Sequence, residues 1–105
     1  MKTSNIFEHI PKDLQEEIFE DIVKTDKLQI QRIISKGDST LDSKWYNQTD
    51  NEWVIILQGE AILSFKESKD IKLKTGDYIN IQAHIVHKVL WTTPDTETIW
   101  LAIHY

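Results

Sequence analysis

Glu52-Trp53-Val54-Ile55-Ile56-Leu57-Gln58-Gly59-Glu60-Ala61-Ile62-Leu63-Ser64-Phe65 is the stretch that decides the fold. Two apolar runs, 53–57 and 61–65, have the length of β-strands. They flank Gln58-Gly59-Glu60, a turn signal, and together read as a hairpin. The first run is apolar at every position. A strand with one solvated face alternates, so this one faces a barrel interior on one side and a second covering layer on the other. A helix or a second subunit is the expected cover. Trp100-Leu101-Ala102-Ile103 has the same character.

Downstream, Lys69-Asp70 and Thr75-Gly76-Asp77 punctuate further short strands, expected over 78–81, 87–91 and 98–105, with Pro94-Asp95 as the last turn. Upstream, 28–35 reads as a strand and Lys36-Gly37-Asp38-Ser39 as a turn. Short strands at this spacing predict an antiparallel sandwich or barrel. The acidic segment 11–24 follows another period. Pro11 suits a first helical turn, and Leu14, Ile18, Phe19, Ile22 and Val23 recur at helical spacing, with Glu16, Glu17, Glu20 and Asp21 opposite. This predicts one N-terminal amphipathic helix packed on the barrel. The expected organisation is a single domain over 1–105, with 1–26 a helical cover and 27–105 an all-β barrel, which the family resemblance described below makes a jelly-roll.

Composition narrows the function classes. The 105 residues carry a net charge of −5 and no local Lys/Arg cluster, against a nucleic-acid partner held through phosphates. No cysteine is present, which excludes disulfides, thiolate metal sites and a cysteine nucleophile. No apolar run approaches the ~20 residues of a membrane span, and the first residues lack the apolar stretch of a signal peptide. A cytoplasmic location without membrane partners is the expectation. The three glycines all fall at turns, so there is no glycine-rich phosphate loop. Ser39 and Ser43 lack a nucleophile-elbow context.

The spacing of Glu52 to Gly59, with six residues between, and of Gly76 to His87 resembles the two signature motifs of the cupin superfamily, over about residues 28–105. The resemblance implies a double-stranded β-helix. It also implies a metal site of two histidines, a glutamate and a later histidine, suited to Fe, Mn, Ni, Zn or Cu. Carried over by position, Glu52 and His87 remain. The first-motif His-x-His pair is replaced by the segment Trp45-Tyr46-Asn47-Gln48, Gln82 replaces a proline, and His84 replaces a glycine. Gln48 offers a carbonyl oxygen and His84 a nitrogen, which makes Glu52, His87, Gln48 and His84 the candidate metal residues.

The residues carry their own argument. Glu52 opens a very apolar strand, and a carboxylate drawn inside needs a cation, a metal or hydrogen-bond donors. His87 shares one face with Val89 and Trp91 if the strand is regular. Trp45, Tyr46 and Trp91 are candidate ligand-binding walls, with Trp53 beside them, against the commoner role of aromatics as core or interface. His9 and His104 lack a ligand partner nearby in sequence and read as structural. The expected function is small-molecule binding inside the barrel. One version is a metal-dependent oxygenase, isomerase or lyase; the alternative is a metal-free sensor or carrier. The doubly apolar strands predict a homodimer.

Overall fold

Among the described residues, the regular structure from Ile18 onward is built of paired strands. The computed structural model describes residues 1–37 and 45–105. The turn expected at 36–39 lies partly outside them, as do Ser39 and Ser43. The strands are β1 (Ile18–Lys24), β2 (Gln29–Ser35), β3 (Glu52–Gln58), β4 (Ala61–Phe65), β5 (Ile71–Leu73), β6 (Tyr78–Ile81), β7 (His87–Thr92) and β8 (Thr98–His104). One sheet has the order β1-β2-β8-β3-β6 and the other β5-β4-β7. The pairings are antiparallel throughout. Ile33, Val54, Ile56, Leu63, Phe65 and Trp100 belong to the apolar core of this jelly roll.

Register decides which side chains meet. Gln29, His104, Glu52 and Ile81 form one row across β2, β8, β3 and β6; Gln31, Ala102, Val54 and Ile79 form the next; Ile33, Trp100 and Ile56 form the third. Alternate residues share a face, so all three rows look into the barrel, where Val54, Ile56, Trp100 and Ala102 are buried. The intervening rows, Ile30-Ile103-Trp53-Asn80 and Arg32-Leu101-Ile55-Tyr78, look outward. This accounts for the apolar residues on both faces of β3.

The amphipathic helix expected over 11–24 is not present: among the described residues there is no α-helix, and 18–24 is strand β1. A helix of about this length is marginal in water without a buried face. Of the residues that would form that face Leu14 is buried, but Phe19 and Ile22 are each about half exposed. Ile18, Ile22 and Val23 are β-branched and suit a pleated strand, and pairing with β2 supplies hydrogen bonds a lone helix would have to find within itself. A bulge between Asp21 and Val23 breaks the alternation that would have shown the strand in the sequence. Arg32 holds the preceding segment. Its guanidinium donates to the Ile6 and Glu8 carbonyls at 2.9 and 2.6 Å and pairs with Glu20 at 2.7 Å.

Gly59, in the β3–β4 hairpin, is required by its surroundings. Its φ is 85°, and a Cβ there would stand 2.5 Å from Thr98 Oγ1 and 3.0 Å from Thr98 Cα. The turn therefore packs directly on the start of β8.

Candidate functional site

Glu52 and His87 start their strands and belong to different sheets, β3 in one and β7 in the other. Both are buried, at 8% and 5% exposure, and they meet across the barrel with His87 Nε2 3.3 Å from Glu52 Oε1. The other ring nitrogen, Nδ1, lies 2.8 Å from the Ile85 carbonyl. A carbonyl only accepts, so Nδ1 carries a hydrogen and Nε2 is the nitrogen turned to the carboxylate. Burial pushes the His87 pKa down, but the hydrogen bonds to Glu52 and Ile85 and the Glu52 charge outweigh it, and the net shift is upward. The pair thus favours imidazolium with carboxylate.

Tyr46 fixes this histidine from the opposite side. Its N–H donates to the His87 carbonyl at 2.7 Å, and the His87 N–H donates to the Tyr46 carbonyl at 3.1 Å. The Tyr46 and Phe65 rings lie 6.1 and 6.2 Å from the imidazole. The loop continues through Gln48, whose carbonyl accepts from the His84 N–H. Glu52, His87, Tyr46 and Gln48 line one cavity with about 110 Å³ of internal room, along with Trp100 and His104. That is well beyond the space a single water needs.

His104 was not legible as a cavity residue because its placement depends on register: it is the cross-strand neighbour of Glu52. The signal that points to it is parity with Trp100 and Ala102 on β8, once β8 is known to pair with β3. Gln31 Nε2 donates to Asp21 Oδ1 at 3.1 Å, which leaves Gln31 Oε1 facing His104 Nε2 at 3.1 Å. An amide oxygen only accepts, so His104 Nε2 bears its hydrogen. The Asp21–Gln31–His104 chain orients this second imidazole on the cavity wall.

Four of the sequence-named candidates, His84, Trp91, Trp45 and Trp53, are not brought to this cavity. His84 is exposed, its Nδ1 lies 3.0 Å from Asn47 Oδ1, and its φ is 66°. It occupies the position where the family motif has glycine, and the left-handed backbone explains why glycine suits that position. Trp91 is turned outward by a β-bulge between Ile62 and Leu63 in the β4–β7 pairing. The bulge breaks the regular alternation from His87, and Trp91 lies under Lys72 with 6.0 Å to the ring centre. Trp45 is exposed and holds the Lys88 ammonium 4.5 Å over its ring. Trp53 faces outward against Tyr78, with ring centres 5.4 Å apart. His9 lies in the N-terminal segment, where its carbonyl faces Arg32.

The donor set fits a resident transition metal poorly. Among the described residues, no group of three or more His, Cys, Asp or Glu side chains converges. Glu52 and His87 supply two strong donors, whereas a catalytic zinc site uses three protein ligands. Gln48 and Tyr46 add neutral or weakly basic oxygens, which such ions take less readily than imidazole.

A protein-family comparison matches the cupin domain over residues 32–104. Among solved structures, the chain is similar to a Ralstonia eutropha JMP134 protein named provisionally as a mannose-6-phosphate isomerase, at 32% identity, covering 99% of this chain and 97% of that one with a TM-score of 0.91. A cupin superfamily protein from Desulfitobacterium hafniense DCB-2 has 21% identity, coverage of 90% and 82%, and a TM-score of 0.73. The Fe(II) form of HppE has 19% identity, coverage of 92% and 54%, and a TM-score of 0.74. The last two likenesses show the fold. No curated protein sequence matches.

Proposed function

The chain belongs to the cupin domain family, and we propose that its barrel cavity binds a small organic molecule through Glu52, His87, Gln48 and Tyr46, without a resident transition metal. The observation that carries this reading is the Glu52–His87 pair, buried, in contact at 3.3 Å and facing a cavity with about 110 Å³ of internal room. A carboxylate has several lone-pair sites and His87 occupies only some, so the pair offers a ligand hydrogen bonds that cost no further ordering. Apolar walls with a few convergent polar groups are the usual form of such sites. The catalytic version of this reading is acid–base chemistry at the same pair, Glu52 taking and His87 Nε2 giving a proton.

The test is a thermal-shift screen of small polar metabolites on protein purified without a histidine tag, alongside titration with Zn²⁺, Mn²⁺ and Fe²⁺. Hits should raise the melting temperature equally with and without EDTA and lose that effect in Glu52→Gln. Metal should leave on dialysis against EDTA with the fold intact. Stoichiometric metal that survives EDTA, or hits that require added metal, would overturn the metal-free reading in favour of a metal-dependent one.

We also propose that two chains pair through the outward face of the larger sheet. Trp53, Ile55, Leu57, Leu101 and Ile103 are only half-buried there, and Tyr78 is 65% exposed. Sedimentation equilibrium at micromolar concentration should give a dimer, and Ile55→Glu should give a monomer.

A further inference from the structure

The inward rows give the cavity two unlike ends. At one end stand Glu52 and its cross-strand neighbour His104, with His87 meeting Glu52 from the other sheet. Two rows on, about 13 Å along the strands at ~3.3 Å per residue, Ile33 pairs with Trp100. Phe19 of β1 pairs with Ile33 and extends that row. Leu63 and Val89, partners in the smaller sheet, line the same cavity. Ile33 and Trp100 are buried, whereas Phe19 is 51% exposed and sits on a strand bonded on one side only. One pair farther, Glu17 accepts from the buried Ser35 hydroxyl at 3.1 Å. An accessible aromatic ring on a cavity wall is apolar surface that a ligand can remove from water.

The room between the ends is about 110 Å³. An apolar cavity of about 150 Å³ holds one benzene ring, which sets the scale here at a single ring or a branched chain of similar bulk. The two ends then choose the chemistry. A molecule polar all round would press hydroxyls against Ile33, Leu63 and Val89 without partners. A wholly apolar one would cover the Glu52–His87 pair and take its bonding capacity out of water unused. We infer that the ligand is amphipathic, with a hydroxyl or carbonyl head bonded at the Glu52–His87 pair and one apolar ring or branched end lying on the Ile33–Trp100 row, and that Phe19 selects this end by burying its ring against it. This rests on the small-molecule reading above and adds the ligand class and a specificity-determining residue.

The experiment follows the ring signals of Phe19 and His87 by NMR in the isotope-labelled full chain, those of Phe19 being identified among the three phenylalanines by their loss in Phe19→Leu. Benzyl alcohol, toluene and glycerol are the probes: the first has both a head and an apolar ring, the second the ring alone, the third hydroxyls alone. Benzyl alcohol should shift Phe19 and His87 together and saturably, and should bind at least tenfold more tightly than toluene or glycerol. Phe19→Ala should weaken it at least fivefold while the His87 signals of the free protein stay in place, and Phe19→Leu should restore part of the loss. The wild-type Phe19 shift stands as a readout even if the alanine variant fails to fold. A shift of His87 without Phe19, equally tight binding of toluene or glycerol, or undiminished binding in folded Phe19→Ala would each overturn the inference and leave the pocket reading standing. No shift with any probe would overturn the inference, and the pocket reading would then fall only if the thermal-shift screen also yields no Glu52-dependent hit.

Discussion

The two ends of β3 treat buried polar groups differently. At the Gln58 end, Thr92 and Thr98 are fully buried, and their hydroxyls are used up on nearby carbonyls, Thr92 on Gly37 and Thr98 on Glu60, each at 3.5 Å. At the Glu52 end the buried groups are a carboxylate and an imidazole bonded mainly to each other, with Trp100 unmet farther along the same interior. Short hydroxyls near a backbone turn are spent on the fold. Long titratable side chains reach into the cavity and keep bonding capacity that the fold does not use. The contrast teaches that burial of a polar group marks function only where its hydrogen bonds are left over.

The largest effect should come from the end that is all structure. Gly59→Ala combines a left-handed backbone with a Cβ that overlaps Thr98, and we expect a loss of about 3 kcal/mol in urea unfolding, in the upper range for single substitutions. A loss under about 1 kcal/mol would mean that this end is not tightly closed. Next is Glu52→Leu, expected to cost about 2 kcal/mol because it leaves His87 buried without its carboxylate. The double variant Glu52→Leu/His87→Leu should recover much of that loss, since a hydrophobic pair of similar volume needs no partner. A double variant no more stable than the single one would show that the pair contributes to the fold beyond its own satisfaction. At the other end, Thr98→Val removes one long hydrogen bond and should cost no more than about 1 kcal/mol, with the melting-temperature shifts of screen hits unchanged.

Smaller still is the pH effect. The folded-state pKa of His87 is raised above its ordinary 6.5, so the charged pair's contribution is complete below the unfolded value and is lost as pH rises through the folded one. Wild-type unfolding free energy should therefore decline on the alkaline side of 6.5 relative to His87→Gln. A constant difference between the two across that range would remove the ion pair from the description of the site. The smallest effect is expected at His84, outside both ends. Glycine there relieves a left-handed backbone but gives up the exposed bond to Asn47. His84→Gly should stay within about 0.5 kcal/mol of wild type, whereas His84→Ala, which keeps the strain and loses the bond, should be the less stable of the two by chemical denaturation.

What the amino-acid order determined by itself was the strand character of the chain from 28 onward and the 58–60 hairpin, and its resemblance to the cupin motifs named Glu52 and His87, the pair that meets in the barrel. Turn residues and apolar runs are local signals, and the Glu52-to-Gly59 and Gly76-to-His87 spacings are short enough to read directly. The tertiary structure decided three things that no local window contains. Segment 18–24 has apolar residues that suit a helix and a strand alike, and only the free backbone edge of β2 selected the strand. Trp91 was placed inside by regular alternation and put outside by one bulge, because a single extra residue reverses every later side chain. His104 stands 52 positions after Glu52 and meets it only through the β3–β8 register. The physical reason is the same in each case: a strand's partner and register are set by non-local hydrogen bonds and burial, and these determine which side chains share a face.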